Sequence, residues 1–283
     1  MFYNKYFIEM NLLSFKEILI KQLTQLMIKK RPILVQNCSR FVCHLFIPDG
    51  EDTIKSHASG VLIHFWGQYY LLTAAHVVDG IDIEHICIPK YGTGTFIILG
   101  GEWHRVDPTV AREEDKIDLA FLHLDDVTVS SFREEGYDFL EETLIGLKHK
   151  LKDYSCYLII GFPASKSKYN KYKNTISEQR LVYVTKTISP SDWPKELYDK
   201  NRNICLVRRE KAVNQQTDQE CQLPDPRGIS GGGLWFLDDL HGSYKLVGIM
   251  IEYTKTIYVA TKIDLFIKAI AERATTHSDV VHL

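Results

Sequence analysis

The sequence predicts an all-β chain with a helix at each end. From residue 33 onward, short runs rich in Val, Ile, Tyr and Phe follow one another, separated by turns of Gly, Pro, Asp and Asn. Many short strands at that spacing argue for a sandwich or a barrel. Only 14–30 and 262–273 carry apolar residues at helical period. A chain of 283 residues that is 45% hydrophobic and 25% charged has ordinary globular composition, enough for one large domain or two small ones.

The first element is a helix in "SFKEILIKQLTQLMIKKRP", where Phe15, Ile18, Leu19, Leu23, Leu26 and Met27 form one stripe. Ser14 and Glu17 make a capping box. Lys29, Lys30 and Arg31 suit the negative end of the helix dipole, and Pro32 is expected to stop the helix. The stripe packs on the following domain or, alternatively, binds a partner. Strand runs follow, among them "ILVQNCSRFVCHLFI", "SGVLIHFWGQYYLLTAAHVV", "HICIPKY", "TFIILG" and "IDLAFLHL". A polar, mixed stretch at 125–153 separates these from a second set: "YSCYLIIGF", "LVYVTKTI", "NICLVRR", "GLWFLDD", "YKLVGIMIEY" and "TIYVAT". The expected organisation is therefore a helical extension at 1–32, strand sets at about 33–150 and 151–261, a helix at 262–273, and a tail at 274–283.

A net charge of −2 gives no support for a nucleic-acid or membrane partner, since a domain binding phosphate backbones usually runs basic. The one basic cluster, 166–173 (KSKYNKYK), reads as a solvated loop. No stretch approaches the ~20 apolar residues of a membrane span, and the N-terminal residues lack the pattern of a signal peptide. The six cysteines form no C-x-x-C and have no partners at zinc spacing. No P-loop, G-x-G-x-x-G or H-E-x-x-H motif is present, so neither a cofactor nor a metal is expected. Cytoplasmic location with reduced thiols is the expectation.

Chemistry is concentrated in three places. In "LLTAAHVV" two alanines precede His76 at the end of an apolar run, letting an imidazole emerge from tight packing. In "DKIDLAFLHL", Asp118 stands at the mouth of a strand, where a carboxylate needs a partner to offset desolvation. In "GISGGGLW", Ser230 sits among glycines. Glycine is costly unless the backbone needs its freedom, and a nucleophilic serine needs a tight turn with amides converging on the oxygen that turns negative. Alone, each has an ordinary structural reading; together, in the order His, Asp, Ser, they form a strong signal.

On these motifs the sequence resembles the trypsin-like (chymotrypsin-fold) serine peptidases over about residues 40–272. "TAAHVV" matches the family's histidine motif, "DLAFLHL" its aspartate strand and "GISGGGLW" its nucleophile turn. "KLVGIMIEY" resembles the strand edging the substrate cleft, and "YVATKIDLFIKAI" the last strand and C-terminal helix. The "SGVLI…LLTAAHVV" opening looks closer to the bacterial, HtrA-like end of the superfamily, although no PDZ-sized segment follows the helix.

The resemblance implies two packed antiparallel six-stranded β-barrels with the site in the cleft between them. It implies a serine endopeptidase in which His76 is the general base, Asp118 orients it and Ser230 is the nucleophile. The backbone amides of Gly228 and Ser230 would form the oxyanion hole, worth ~3–4 kcal/mol per donor. Ile229 stands where secreted members carry an aspartate, so activation by N-terminal insertion is not expected. Ile251 replaces a serine that often supports the aspartate. The substrate pocket would draw on Asp225 and Arg227 of "PDPRG", on Ile251, Glu252 and Tyr253, and on Tyr258. Asp225 could meet a basic side chain, whereas Tyr258 could fill the pocket and admit only a small or apolar residue before the cut. A protein or peptide substrate is implied. A pseudopeptidase that keeps the fold for binding, and a latent enzyme gated by a regulatory protein through the loops at 164–180 and 208–227, are the alternatives.

Overall fold

A computed structural model describes residues 32–50, 53–90, 95–107, 114–151, 155–170, 175–189, 191–214, 219–238 and 243–278. The helix expected at 14–30 lies outside them. Residues 32–39 are helical (α1), so the strand expected from residue 33 begins only at Val42. Leu34 and Cys38, four apart, both point into the core, which is a helical rather than an alternating pattern.

The first sheet contains β1 (Val42–Pro48), β2 (Ile54–Phe65), β3 (Gln68–Ala74), β4 (Cys87–Pro89), β5 (Phe96–Ile98), β6 (Gly101–Arg105), β7 (Leu119–Leu124) and β8 (Leu140–Glu141). Its path runs β5-β4-β1-β2-β3-β7-β6, with β8 pairing parallel to β2 and the other pairings antiparallel. The second sheet runs β12-β9-β16-β17-β18-β13. Those strands are β9 (Cys156–Gly161), β12 (Leu181–Thr185), β13 (Asn203–Val207), β16 (Gly233–Asp238), β17 (Ser243–Tyr253) and β18 (Ile257–Lys262). Separate hairpins pair β10 (Lys168–Asn170) with β11 (Thr175–Ser177) and β14 (Lys211–Asn214) with β15 (Gln219–Gln222).

Both sheets curl into half-barrels, an arrangement compatible with the two six-stranded barrels expected, although neither closes. The first has eight strands. The polar stretch expected as a break folds in part into α2 (Asp126–Glu134), capped by Asp125, whose carboxylate accepts the Thr128 amide at 2.7 Å. Thr128, Val129 and Phe132 bury one face of it. The last helix, α3 (Ile263–Ser278), runs past the expected end at 273.

The core has three parts. One fills the first half-barrel, one fills the second, and one lies where α1, α3 and both sheets meet, around Trp235, Phe162 and Phe266. Ser59 of β2 crosses between the sheets: its amide donates to the Ser230 carbonyl at 2.9 Å. Cys38, Cys43, Cys87, Cys156 and Cys205 are free thiols. Burial pushes the Cys87 thiol up to about 11 and holds Cys38, Cys43 and Cys205 well above the usual range too. Among the described residues no helix is long and apolar enough to cross a membrane.

Candidate active site

Strand register explains why two of the three singled-out residues meet. In the antiparallel β3–β7 pair, Ala74 lies opposite Leu119, so the chain leaves β3 toward His76 beside the point where it enters β7 from Asp118. His76 follows in a single 3-10 turn, Ala75–Val77. The buried Asp118 carboxylate then accepts two hydrogen bonds from that one residue. The His76 backbone N–H donates to Oδ1 at 2.8 Å, and the ring meets Oδ2 through Nδ1 at 2.6 Å. A carboxylate accepts and cannot donate, so Nδ1 carries the proton and Nε2 of the neutral ring is the acceptor.

Asp118 holds this position in the left-handed region, at φ 43°, which costs energy for a side chain with a Cβ. Hydrogen bonds on every side of the turn offset the strain. The Asp115 carboxylate caps the amides of Ile117 (3.0 Å) and Asp118 (3.1 Å), and the Asp118 carbonyl accepts from Ala75. The second half-barrel contributes Thr261 Oγ1, which donates to the Ile117 carbonyl at 2.5 Å, and the Asn203 amide, which donates to the Lys116 carbonyl at 2.6 Å. One oxygen of the aspartate is thus held by the His76 ring and the other by the His76 backbone.

Ser230 sits at the other wall, on the turn leading into β16. Its hydroxyl contacts the Ile251 carbonyl at 3.5 Å. Gly228 and Gly231 have φ of +93° and +82°, the region that favours glycine. A Cβ on Gly231 would lie 1.9 Å from the Ser59 carbonyl oxygen, and one on Gly228 would lie 2.7 Å from that of Phe162. The glycines thus let the turn press against the backbone of both half-barrels, a reason the sequence reading had not included. Among the described residues, no acceptor takes the amides of Gly228 or Ser230, while the neighbouring amides of Ile229, Gly231 and Gly232 bond to Pro226, Met250 and Ile229 carbonyls.

His76 and Ser230 line one cavity of about 290 Å³, together with Gly228, Arg227, Ile251, Glu252 and Tyr253. Those last four were expected at the pocket. Asp225 is not among the residues that line it: its carboxylate pairs with Arg227 at 2.8 Å and accepts from the Tyr253 hydroxyl at 3.3 Å. The Arg227 amide and then its guanidinium hold the Asp225 carboxyl below its ordinary value. Glu252 pairs with Lys116 at 2.9 Å. Tyr258 is fully buried inside the second half-barrel, among residues such as Tyr183, Ile229 and Met250.

The cavity also takes His57, which no motif in the sequence singles out. Its Nε2 donates to the Val77 carbonyl at 2.6 Å, and burial lowers its pKa against the opposing effect of that bond. Ser59, also unremarked in the sequence, is fully buried, its amide bonded to the Ser230 carbonyl. Compared with models of protein families and with curated proteins, the chain matches none, so what this site can do follows from its geometry.

Proposed function

We propose that the protein is a serine endopeptidase of chymotrypsin-like architecture, its two half-barrels standing for the two barrels of that fold. The observation that carries this reading is the double grip of Asp118 on His76 at the edge of a cavity that Ser230 also lines. The grip fixes the tautomer in which Nε2 can accept a proton. The Ser230 hydroxyl rests on the Ile251 carbonyl at 3.5 Å; bonds between nucleophile and base are often unformed until substrate is bound.

In the first step Ser230 Oγ bonds to a peptide carbonyl carbon and its proton passes to His76 Nε2. The imidazolium is stabilised by Asp118, and the oxyanion is met by the unoccupied amides of Gly228 and Ser230. His76 then gives its proton to the leaving amine as the C–N bond breaks, leaving an acyl-enzyme. A water, deprotonated by His76, hydrolyses the ester and restores Ser230.

The contact of Ser230 Oγ with Ile251, rather than with His76, favours a second reading: the same fold kept as a binding module, or held latent until a partner reshapes the cleft. Hydrolysis of denatured casein separates these. Cleavage by the wild type that vanishes in Ser230→Ala supports the peptidase. Absence of cleavage that a cognate partner restores supports the latent form, and binding without cleavage supports the module.

A further inference from the structure

We infer that Ser59, on β2 of the first half-barrel, is a positioning residue that sets the two anion-binding amides beside Ser230; this rests on the peptidase reading of the site. The relevant amides belong to the peptides 227–228 and 229–230. Each peptide is planar and trans, so fixing its carbonyl aims its N–H the opposite way. The Arg227 carbonyl is held by the Ala164 amide at 2.7 Å, and the Ile229 carbonyl by the Gly232 amide at 2.8 Å. The peptide between them, 228–229, decides how the two N–H groups stand relative to each other.

That middle peptide is held at its oxygen by Ser59. Ser59 Oγ donates to the Gly228 carbonyl at 2.8 Å. The hydroxyl has no choice of direction, because it also accepts the Phe162 amide at 2.8 Å, which leaves its proton for Gly228. The next peptide, 230–231, is held by the same residue, through the bond from the Ser59 amide to the Ser230 carbonyl. Thr73 Oγ1, three residues before His76, donates to the Ser59 carbonyl at 2.9 Å. One fully buried residue therefore links the strand leading to the base with two of the peptides around the nucleophile. Gly228, at φ +93° and without a Cβ, has little steric resistance of its own to a flip, so hydrogen bonds must hold it.

The test compares the wild type with Ser59→Ala, which removes the hydroxyl and leaves the backbone bond. Two quantities are read: the rate of labelling by a fluorophosphonate across pH, and amide exchange over 226–234. The expected result is a labelling rate about 10- to 100-fold lower, short of the 10²–10³-fold for deleting an oxyanion donor outright. The pH midpoint of the rate stays in place, since His76 and Asp118 are untouched. The amides of Ile229, Gly231 and Gly232 exchange faster while those of β9 and β17 do not. Wild-type labelling with unchanged turn exchange overturns the inference, as does a rise in exchange spread evenly over both half-barrels. If the wild type itself does not label, the peptidase reading falls and exchange at the turn alone decides whether Ser59 holds it. Should Ser59→Ala not fold, Ser59→Cys keeps the bulk, weakens both hydrogen bonds and is read in the same way.

Discussion

The Asp118 carboxylate spans His76, one oxygen on its backbone N–H at 2.8 Å and the other on its ring at 2.6 Å. A single residue thereby fixes both the place of the imidazole and its tautomer. Asp118→Asn would present an amide NH2 to one of these donors and stabilise the wrong tautomer. Labelling or hydrolysis is expected to fall about 10⁴-fold with the fold retained, by analogy with other triads. A drop under tenfold, measured on protein with wild-type circular dichroism, contradicts this role.

Gly231 and Gly67 share the left-handed conformation, at φ +82° and +74°, but differ in surroundings. A Cβ at Gly67 meets nothing within 4 Å, whereas at Gly231 it meets the Ser59 carbonyl oxygen at 1.9 Å. Gly67→Ala is expected to cost the conformational penalty alone, about 1–2 kcal/mol. Gly231→Ala is expected to exceed it by about 2 kcal/mol or more, because a backbone atom cannot rotate out of the way. Urea unfolding midpoints give the comparison, and equal losses would show that the turn can relax.

Stability should depend on His44. It is fully buried, with Nδ1 on Glu178 at 2.9 Å, Nε2 on Ser56 at 2.7 Å and its ring stacked on Phe162 at 4.6 Å. Burial lowers its pKa from 6.5, outweighing the Glu178 carboxylate, which raises it. The unfolded chain therefore takes up the proton first. The stability this group contributes is complete above pH 6.5 and is lost as pH falls from there through the folded pKa, at about 1.4 kcal/mol per pH unit for one proton. His57 shifts in the same direction and adds to the loss. His44→Gln should flatten the slope of unfolding free energy below pH 6.5, and an unchanged slope removes His44 from the account.

On the peptidase reading, Tyr253 bears on which peptides are cut. Tyr258 is buried in the second half-barrel and does not line the cavity, whereas Tyr253 lines it and donates to Asp225. With Arg227, Ile251 and Tyr253 on its wall, the cavity of about 290 Å³ should favour a small residue before the scissile bond over Phe, Lys or Arg by at least about tenfold, the worth of a few methylenes. A peptide library read by mass spectrometry measures it; preference for a basic residue would contradict it.

What was legible in the sequence followed apolar patterning. Long strands such as β2, β3, β7, β16 and β17 were visible because alternating or continuous apolar residues pack into a core, and α3 because its stripe does. The hairpins β10–β11 and β14–β15 were hidden in polar stretches, since two-stranded ribbons outside the sheets need no apolar face. Helical residues 32–39 were misread as strand, because a short apolar run does not reveal its period. His76, Asp118 and Ser230 could be singled out from their local motifs. Ser59 and Asp115 were not, because they act through backbone contacts that only the packed structure reveals.

The central claim is that Ser230 is a nucleophile activated by His76. The most direct measurement is fluorophosphonate labelling of the purified full-length chain, with the modified peptide located by mass spectrometry, beside Ser230→Ala and His76→Ala. The account predicts a label on Ser230 in the wild type, none in Ser230→Ala and almost none in His76→Ala. Labelling at wild-type rate in His76→Ala, or a label carried by a different residue, would contradict it.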